Sequence, residues 1–148
     1  MNISSFPSFP KNSISLAYSI AKAAHMGQKD KAGEDYINHP LAVASFVTGP
    51  DAKIVALLHD TIEDTSVTEE DLRPLFSGEI VDAIVSMTHL KGEPYMEYIR
   101  RVSGNDLAKT VKLADLRHNM DLGRIKNPTE RDYARIERKY LPALAYLS

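Results

Sequence analysis

One imidazole and three carboxylates, His59, Asp60, Glu63 and Asp64, fall within a few residues of one another, directly after the apolar stretch Ala56-Leu57-Leu58. Asp60 and Asp64 are four apart, as are His59 and Glu63, so a helix continued through them puts each pair one turn apart on neighbouring faces. Carboxylates this close repel one another unless a proton or a cation resolves the conflict. A divalent metal is the economical resolution. The chain has no cysteine, which removes thiolate zinc sites, iron–sulfur clusters, disulfides and cysteine nucleophiles together and leaves oxygen and imidazole as ligands.

A single helix offers only adjacent ligands such as His59 and Asp60, so further donors must come from elsewhere in the chain. Two stand out: His39, at the end of a polar loop, and Asp115, inside Lys112-Leu113-Ala114-Asp115-Leu116-Arg117-His118-Asn119-Met120. Two imidazoles and two carboxylates suit manganese, iron or zinc rather than calcium. Singly, each has a plainer reading. His59-Asp60 reads as a helix-terminal ion pair, Asp115 as a partner of Arg117 or Lys112, His39 as a helix N-cap donor and Glu63-Asp64 as a solvated helix end. Their joint occurrence is what points to a metal.

The elements that must position these residues are helical. Apolar residues recur at spacings of three and four over 13–26, 39–48, 51–62, 68–76, 79–90, 93–102, 106–120 and 129–147, separated by Gly, Pro and Ser breaks. No alternating strand pattern exceeds four residues, and there is no internal repeat. The expectation is an all-α fold of about seven or eight helices around one core, in a single domain over 13–148. Residues 1–12 read as a flexible arm rather than a signal peptide, since they lack a basic and an apolar region. Eighteen Lys and Arg against twenty Asp and Glu give a formal charge of −2, without the basic excess that phosphate-backbone binding requires. No stretch is long and apolar enough to span a bilayer. The expected setting is the cytoplasm, with neither nucleic acid nor membrane as partner.

The blocks Ala24-His25-Met26-Gly27-Gln28, Gly33-Glu34-Asp35-Tyr36-Ile37-Asn38-His39-Pro40, Leu57-Leu58-His59-Asp60-Thr61-Ile62-Glu63-Asp64-Thr65 and Lys112-Leu113-Ala114-Asp115 with His118-Asn119 occur in that order. Together they resemble the HD-domain metal-dependent phosphohydrolases, and more narrowly the hydrolase domain of the RelA/SpoT alarmone enzymes. The likeness extends over 17–124, and a chain of this size is similar to the small alarmone hydrolases of the stringent response. The resemblance implies an all-α fold with one divalent metal, commonly Mn²⁺, that removes the 3′-pyrophosphate from ppGpp or pppGpp. It implies His39, His59, Asp60 and Asp115 as metal ligands and Glu63 and Asp64 as the catalytic acidic pair acting on water. Asn119 matches a nucleotide-contacting position and Lys31 a basic loop residue near the substrate.

Charge building on phosphoryl oxygens needs cations, and Lys31, Lys112, Arg117 and Arg124 are available for it. Two positions depart from the family pattern. Asp30 stands where an Arg that stacks on guanine is expected, and Leu122 stands where a polar contact is expected. These departures bear on the substrate more than on the reaction, and two alternatives follow. One is an enzyme acting on another phosphorylated nucleotide, including the 2′-phosphate of NADPH; the other is a nucleotide-binding regulatory module without turnover. The terminal helix packs either on its own core or on a second subunit of a homo-oligomer.

Overall fold

Short polar side chains set where the helices begin. The hydroxyls of Ser13 and Ser77 and the side-chain oxygen of Asn105 each accept from the amide three residues on, which occupies a donor the first helical turn would leave unpaired. Thr68 with Asp71 and Thr129 with Asp132 close reciprocal capping boxes. The resulting computed structural model describes residues 9–148. Its helices are α1 (Ile14–Ala24), α2 (Asn38–Ser45), α3 (Pro50–Leu58), α4 (Thr61–Asp64), α5 (Glu69–Leu72), α6 (Gly78–Ser86), α7 (Tyr95–Ser103), α8 (Asp106–Asn119), α9 (Glu130–Arg135) and α10 (Leu141–Leu147). A π-helical turn, Ile136–Tyr140, joins α9 to α10, so the run expected at 129–147 is continuous. No strand is present among the described residues, and the fold is all-α.

α3 is the centre. Ile54, Val55, Ala56, Leu57 and Leu58 are all buried, and a half-helix apolar on every side has to be enclosed by others. It packs against α1, α2, α6 and α8. The buried apolar side chains form one cluster that includes Leu16 and Ile20 of α1, Ile80 and Ile84 of α6, and Val111 and Leu116 of α8. The last residues of α3 and the inner face of α8 therefore meet next to the start of α2. This is where the candidate donors lie. No helix is long and apolar enough to cross a membrane among the described residues.

Several helices are shorter than their periodicity predicts, among them the one expected over 68–76, which covers only Glu69–Leu72, and the one expected over 39–48, which ends at Ser45. The helix expected over 51–62 stops at Leu58 and resumes at Thr61, because side chains occupy the carbonyls that would continue it. The Thr61 hydroxyl donates to Leu58 O at 2.8 Å, and the His59 ring nitrogen Nδ1 lies 2.6 Å from Ala56 O. The helix expected over 79–90 ends at Ser86, where the guanidinium of Arg101 donates to Ser86 O and Thr88 O and holds the following segment in a turn. Of the N-terminal arm, residues 1–8 lie outside the described residues. Its last residue is tied down: Asn12 donates its amide to Leu75 O and accepts from the Ser77 amide.

Candidate metal centre and active-site cavity

Three separated stretches of chain bring their donors to one point. His39 comes from the first turn of α2, His59 and Asp60 from the break between α3 and α4, and Asp115 from α8. The ring nitrogen Nε2 of His39 is 2.9 Å from Asp115 Oδ1 and 3.7 Å from Asp60 Oδ2. Nε2 of His59 is 3.1 Å from Asp60 Oδ2 and 3.5 Å from Asp115 Oδ1. His39, His59 and Asp115 are buried, and the Asp60 side chain keeps 17% of its surface exposed.

The surrounding contacts fix the orientation of each donor. Nδ1–H of His59 donates to Ala56 O, which turns Nε2 toward the carboxylates. Nδ1 of His39 is 2.7 Å from Nδ1 of His118. Burial, then the charges of His39 and Arg124, push His118 down to about 4, so its ring is neutral and its Nδ1 can accept from Nδ1–H of His39 when Nε2 of His39 serves as a ligand. Tyr36 donates its hydroxyl to Asp60 Oδ2 at 2.6 Å, and Lys112 and Asn119 donate to the two oxygens of Asp115 at 2.8 and 3.0 Å.

The donor set fits a divalent cation. His59 Nε2 is buried and has no hydrogen-bond partner, although two carboxylate oxygens lie within 3.5 Å of it. An unmatched buried nitrogen aimed between carboxylates is the arrangement a metal ion satisfies. Electrostatics agree. Burial disfavours a charged His59 ring, yet the Asp60 and Asp115 carboxylates outweigh it and hold the ring protonated well above its usual range. The cluster thus demands positive charge, and a divalent ion on the same nitrogens and oxygens would meet that demand in place of the proton.

The cluster lies in a cavity of about 400 Å³, within the range of small-molecule sites. Glu63 and Asp64, on α4, also line it. Glu63 Oε1 accepts from the His89 amide at 2.8 Å. Burial, then the charges of Asp60 and Glu63, raise the Asp64 carboxyl to about 6. Two carboxylates beside a metal-binding cluster can orient a water and accept its proton.

The expected cations are not all brought to the cavity. Lys31 and Arg124 line it, as does Asn119. Lys112 also lines it, but its ammonium is committed to Asp115 and lies 5.0 Å from the Tyr98 ring centre. Arg117 is not among the lining residues. Its guanidinium stacks on Phe46, 4.0 Å from the ring centre, because it is two residues from Asp115 and so faces away from it. Asp30 is taken up by its own loop, accepting from the amides of Ala32 at 2.8 Å and Glu34 at 3.0 Å. Leu122 lines the cavity as an apolar patch.

A model of the HD domain family matches residues 17–122. The chain belongs to the HD-domain family. Among the relatives of this HD-domain chain, the guanosine-3′,5′-bis(diphosphate) 3′-pyrophosphohydrolase of Haemophilus influenzae is 38% identical over 132 residues, covering 78% of this chain and 20% of that protein. The bifunctional (p)ppGpp synthase/hydrolase SpoT of Escherichia coli is 35% identical over 135 residues, covering 80% and 20% respectively. This chain therefore spans about a fifth of the length of these relatives. A solved structure of a metazoan ortholog of SpoT superposes with a TM-score of 0.74 at 24% identity, over 95% of this chain and 87% of that one, which shows the shared fold.

Several lining residues escape a reading of the sequence. His89, Tyr95 and Tyr98 bound the cavity from α7 and the segment before it, and Arg135, Lys139 and Tyr140 bound it from the C-terminal run. The C-terminal cations carry no motif; on an amphipathic helix they read as a solvated face. Tyr36 stands three residues before His39, and the pairing of its hydroxyl with Asp60 follows only from the loop's path.

Proposed function

We propose that this HD-domain chain is a metal-dependent phosphohydrolase that converts ppGpp or pppGpp to GDP or GTP and pyrophosphate. In this reading His39, His59, Asp60 and Asp115 hold one divalent ion, Mn²⁺, and the enzyme works in the cytoplasm. The observation that carries it is the buried, unmatched His59 Nε2 among carboxylates at one wall of a cavity that Glu63 and Asp64 share. The names borne by the relatives support the substrate.

A divalent ion bound there supplies Lewis acidity and makes a water easier to deprotonate. The chain's own residues do the rest. Glu63, held by the His89 amide, and Asp64 orient the attacking water and take one of its protons. The water oxygen bonds to the phosphorus on the 3′ oxygen, the 3′ O–P bond breaks, pyrophosphate leaves, and the 3′ oxygen becomes a hydroxyl by taking up the proton that the acidic pair accepted from the water. Lys31 and Arg124 face the phosphates, and Asn119 contacts the nucleotide while holding Asp115. Lys112 serves Asp115 rather than the substrate.

Incubation of the purified protein with Mn²⁺ and ppGpp should yield GDP and pyrophosphate, and a chelator should abolish it. Asp115→Ala should lose both metal binding and turnover. Absence of product from ppGpp, with inorganic phosphate released from NADPH, would move the assignment to the other nucleotide; binding without product would make the chain a regulatory module. Normal Mn²⁺ binding and full activity in Asp115→Ala would overturn the ligand assignment.

A further inference from the structure

The block Ala24-His25-Met26-Gly27-Gln28 carries two polar side chains with no part in the imidazole–carboxylate cluster or the acidic pair. His25 ends α1, its amide donating to Ala21 O, and it is buried. Gln28, three residues on, is half-buried and reaches α4, the turn that carries Glu63 and Asp64.

The two side chains form a directed chain of hydrogen bonds. Asp64 O can only accept, so Gln28 turns its Nε2 amide to it, at 3.0 Å. Gln28 Oε1 then faces Nδ1 of His25 at 2.9 Å, and since Oε1 also only accepts, Nδ1 carries the proton of that bond. Burial lowers the ring below its usual range and keeps it neutral, so Nε2 is left bare. That atom is buried and has no partner among the described residues. An apolar side chain would fill the same space without an unmatched nitrogen, so stability does not account for a histidine at this position.

Of the acidic pair, Asp64 is the one that depends on such support. The Glu63 carboxylate is held directly by the His89 amide. No hydrogen bond or ion pair among the described residues reaches the Asp64 carboxylate, so its main chain sets its place. That main chain belongs to a single helical turn, too short to be stable by itself, whose end is closed by the Asp64 amide to Asp60 O and the Thr65 amide to Thr61 O, both at 3.0 Å. Helix ends leave carbonyls without a partner inside the helix, and Gln28 takes up the one at Asp64. Gln28 O also accepts from the Tyr36 amide at 2.9 Å, and Tyr36 in turn donates to Asp60. This second bond runs between main chains, so exchanging the Gln28 side chain leaves it in place and acts on Asp64 alone.

We propose that His25 and Gln28 are positioning residues for the hydrolytic step: the chain of bonds from the end of α1 fixes the last residue of α4 and so aims the Asp64 carboxylate at the imidazole–carboxylate cluster. The inference rests on the reading above in one respect, that Asp64 acts on the attacking water. Neither residue touches the substrate or the ion. His25 works only through Gln28, and the two therefore act in series.

Three variants of the full chain test this: Gln28→Met; His25→Phe, which keeps a ring against Tyr36, 4.8 Å away between centres; and His25→Asn, whose amide nitrogen takes the place of Nδ1–H. With Mn²⁺ and ppGpp, Gln28→Met and His25→Phe should each lower kcat on the order of tenfold with KM within about twofold of wild type, as for a reacting group displaced rather than removed. The double variant should be no slower than Gln28→Met, and His25→Asn should recover most of what His25→Phe loses. Mn²⁺ affinity by calorimetry and Tm should stay near wild type. In chelator, without turnover, exchange of the Asp64 and Thr65 amides followed by NMR should be faster in Gln28→Met and His25→Phe. Wild-type kcat in Gln28→Met would overturn the proposal, as would unchanged exchange at these amides. A fall in kcat that tracks a fall in Tm, with no recovery in His25→Asn, would make the block merely structural and overturn it too. If Gln28→Met fails to fold, His25→Phe carries the same test. Should exchange respond as expected while the wild type leaves ppGpp uncleaved, the placing of α4 by this block stands and the hydrolase reading falls.

Discussion

Replacing Lys112 with Met isolates the charge balance on which the metal centre depends. Lys112 and Asp115 are 8% and 4% exposed, and the ammonium is 2.8 Å from Asp115 Oδ2. Breaking a buried ion pair from one side leaves the other charge uncompensated, at a cost of about 3–5 kcal/mol. The protonated His59 ring softens this loss, so the lower end applies to metal-free protein. For a chain of this length, each kcal/mol lowers Tm by roughly 2–4 °C, so a loss of about 3 kcal/mol gives a drop of roughly 6–12 °C in chelator. A bound divalent ion supplies positive charge to the same carboxylate. At a hundred times its Kd it stabilises the wild type by about 2.7 kcal/mol; in Lys112→Met it should contribute more, because Asp115 is no longer shared. Thermal melts followed by circular dichroism, with chelator and with saturating Mn²⁺, should therefore show a large gap between the two proteins that narrows when metal is added. A gap of similar size in both conditions, or none in chelator, would refute the reasoning.

Glu63→Gln and Asp64→Asn should lower kcat by about 10²–10⁴-fold, the usual worth of a general base, while Mn²⁺ affinity measured by calorimetry stays near wild type. Because Asp64 sits at about 6 and a general base acts deprotonated, kcat should decline as pH falls through about 6, with the limb displaced downward by a bound cation and missing in Asp64→Asn. The same raised value means that ionised Asp64 is disfavoured in the folded state. Its stabilising protonated form is complete only below the unfolded value and is lost as pH rises through the folded one, so Asp64→Asn should raise Tm at pH 7 and have little effect near pH 3. Arg101 donates to Ser86 O at 3.1 Å, to Thr88 O at 2.8 Å and to both oxygens of Glu93, and so shapes the segment whose His89 amide holds Glu63. Arg101→Met should speed amide exchange across residues 86–93 and reduce kcat on the order of tenfold with KM little changed; unchanged exchange would remove Arg101 from this role.

The donors were legible because they occur in short blocks whose residue types are hard to explain singly. His39, His59, Asp60 and Asp115 do meet. The helical period also contains what the choice of cations missed: Lys112, His118 and Asn119 stand three or four residues from Asp115 and share its face, whereas Arg117, two residues away, cannot. The stop at Leu58 was not legible, since periodicity continues through His59 and Asp60 and only the use of helix-end carbonyls by His59 and Thr61 ends it. Nor was Asp30, whose acidity reads as repulsion of phosphate when its carboxylate is turned onto neighbouring amides. The π-helical turn leaves no mark in composition, because it depends on what the last helices pack against.

The two imidazoles of the cluster differ in how they are secured against sequence drift. His59 is held by the carbonyl of residue 56, a group every amino acid carries, so no exchange of side chain at that position deletes the acceptor. His39 leans on the ring of His118, and a change to Phe there takes the acceptor away. Evolution can therefore loosen one of these rings with a single codon, while the other is guarded by the main chain itself.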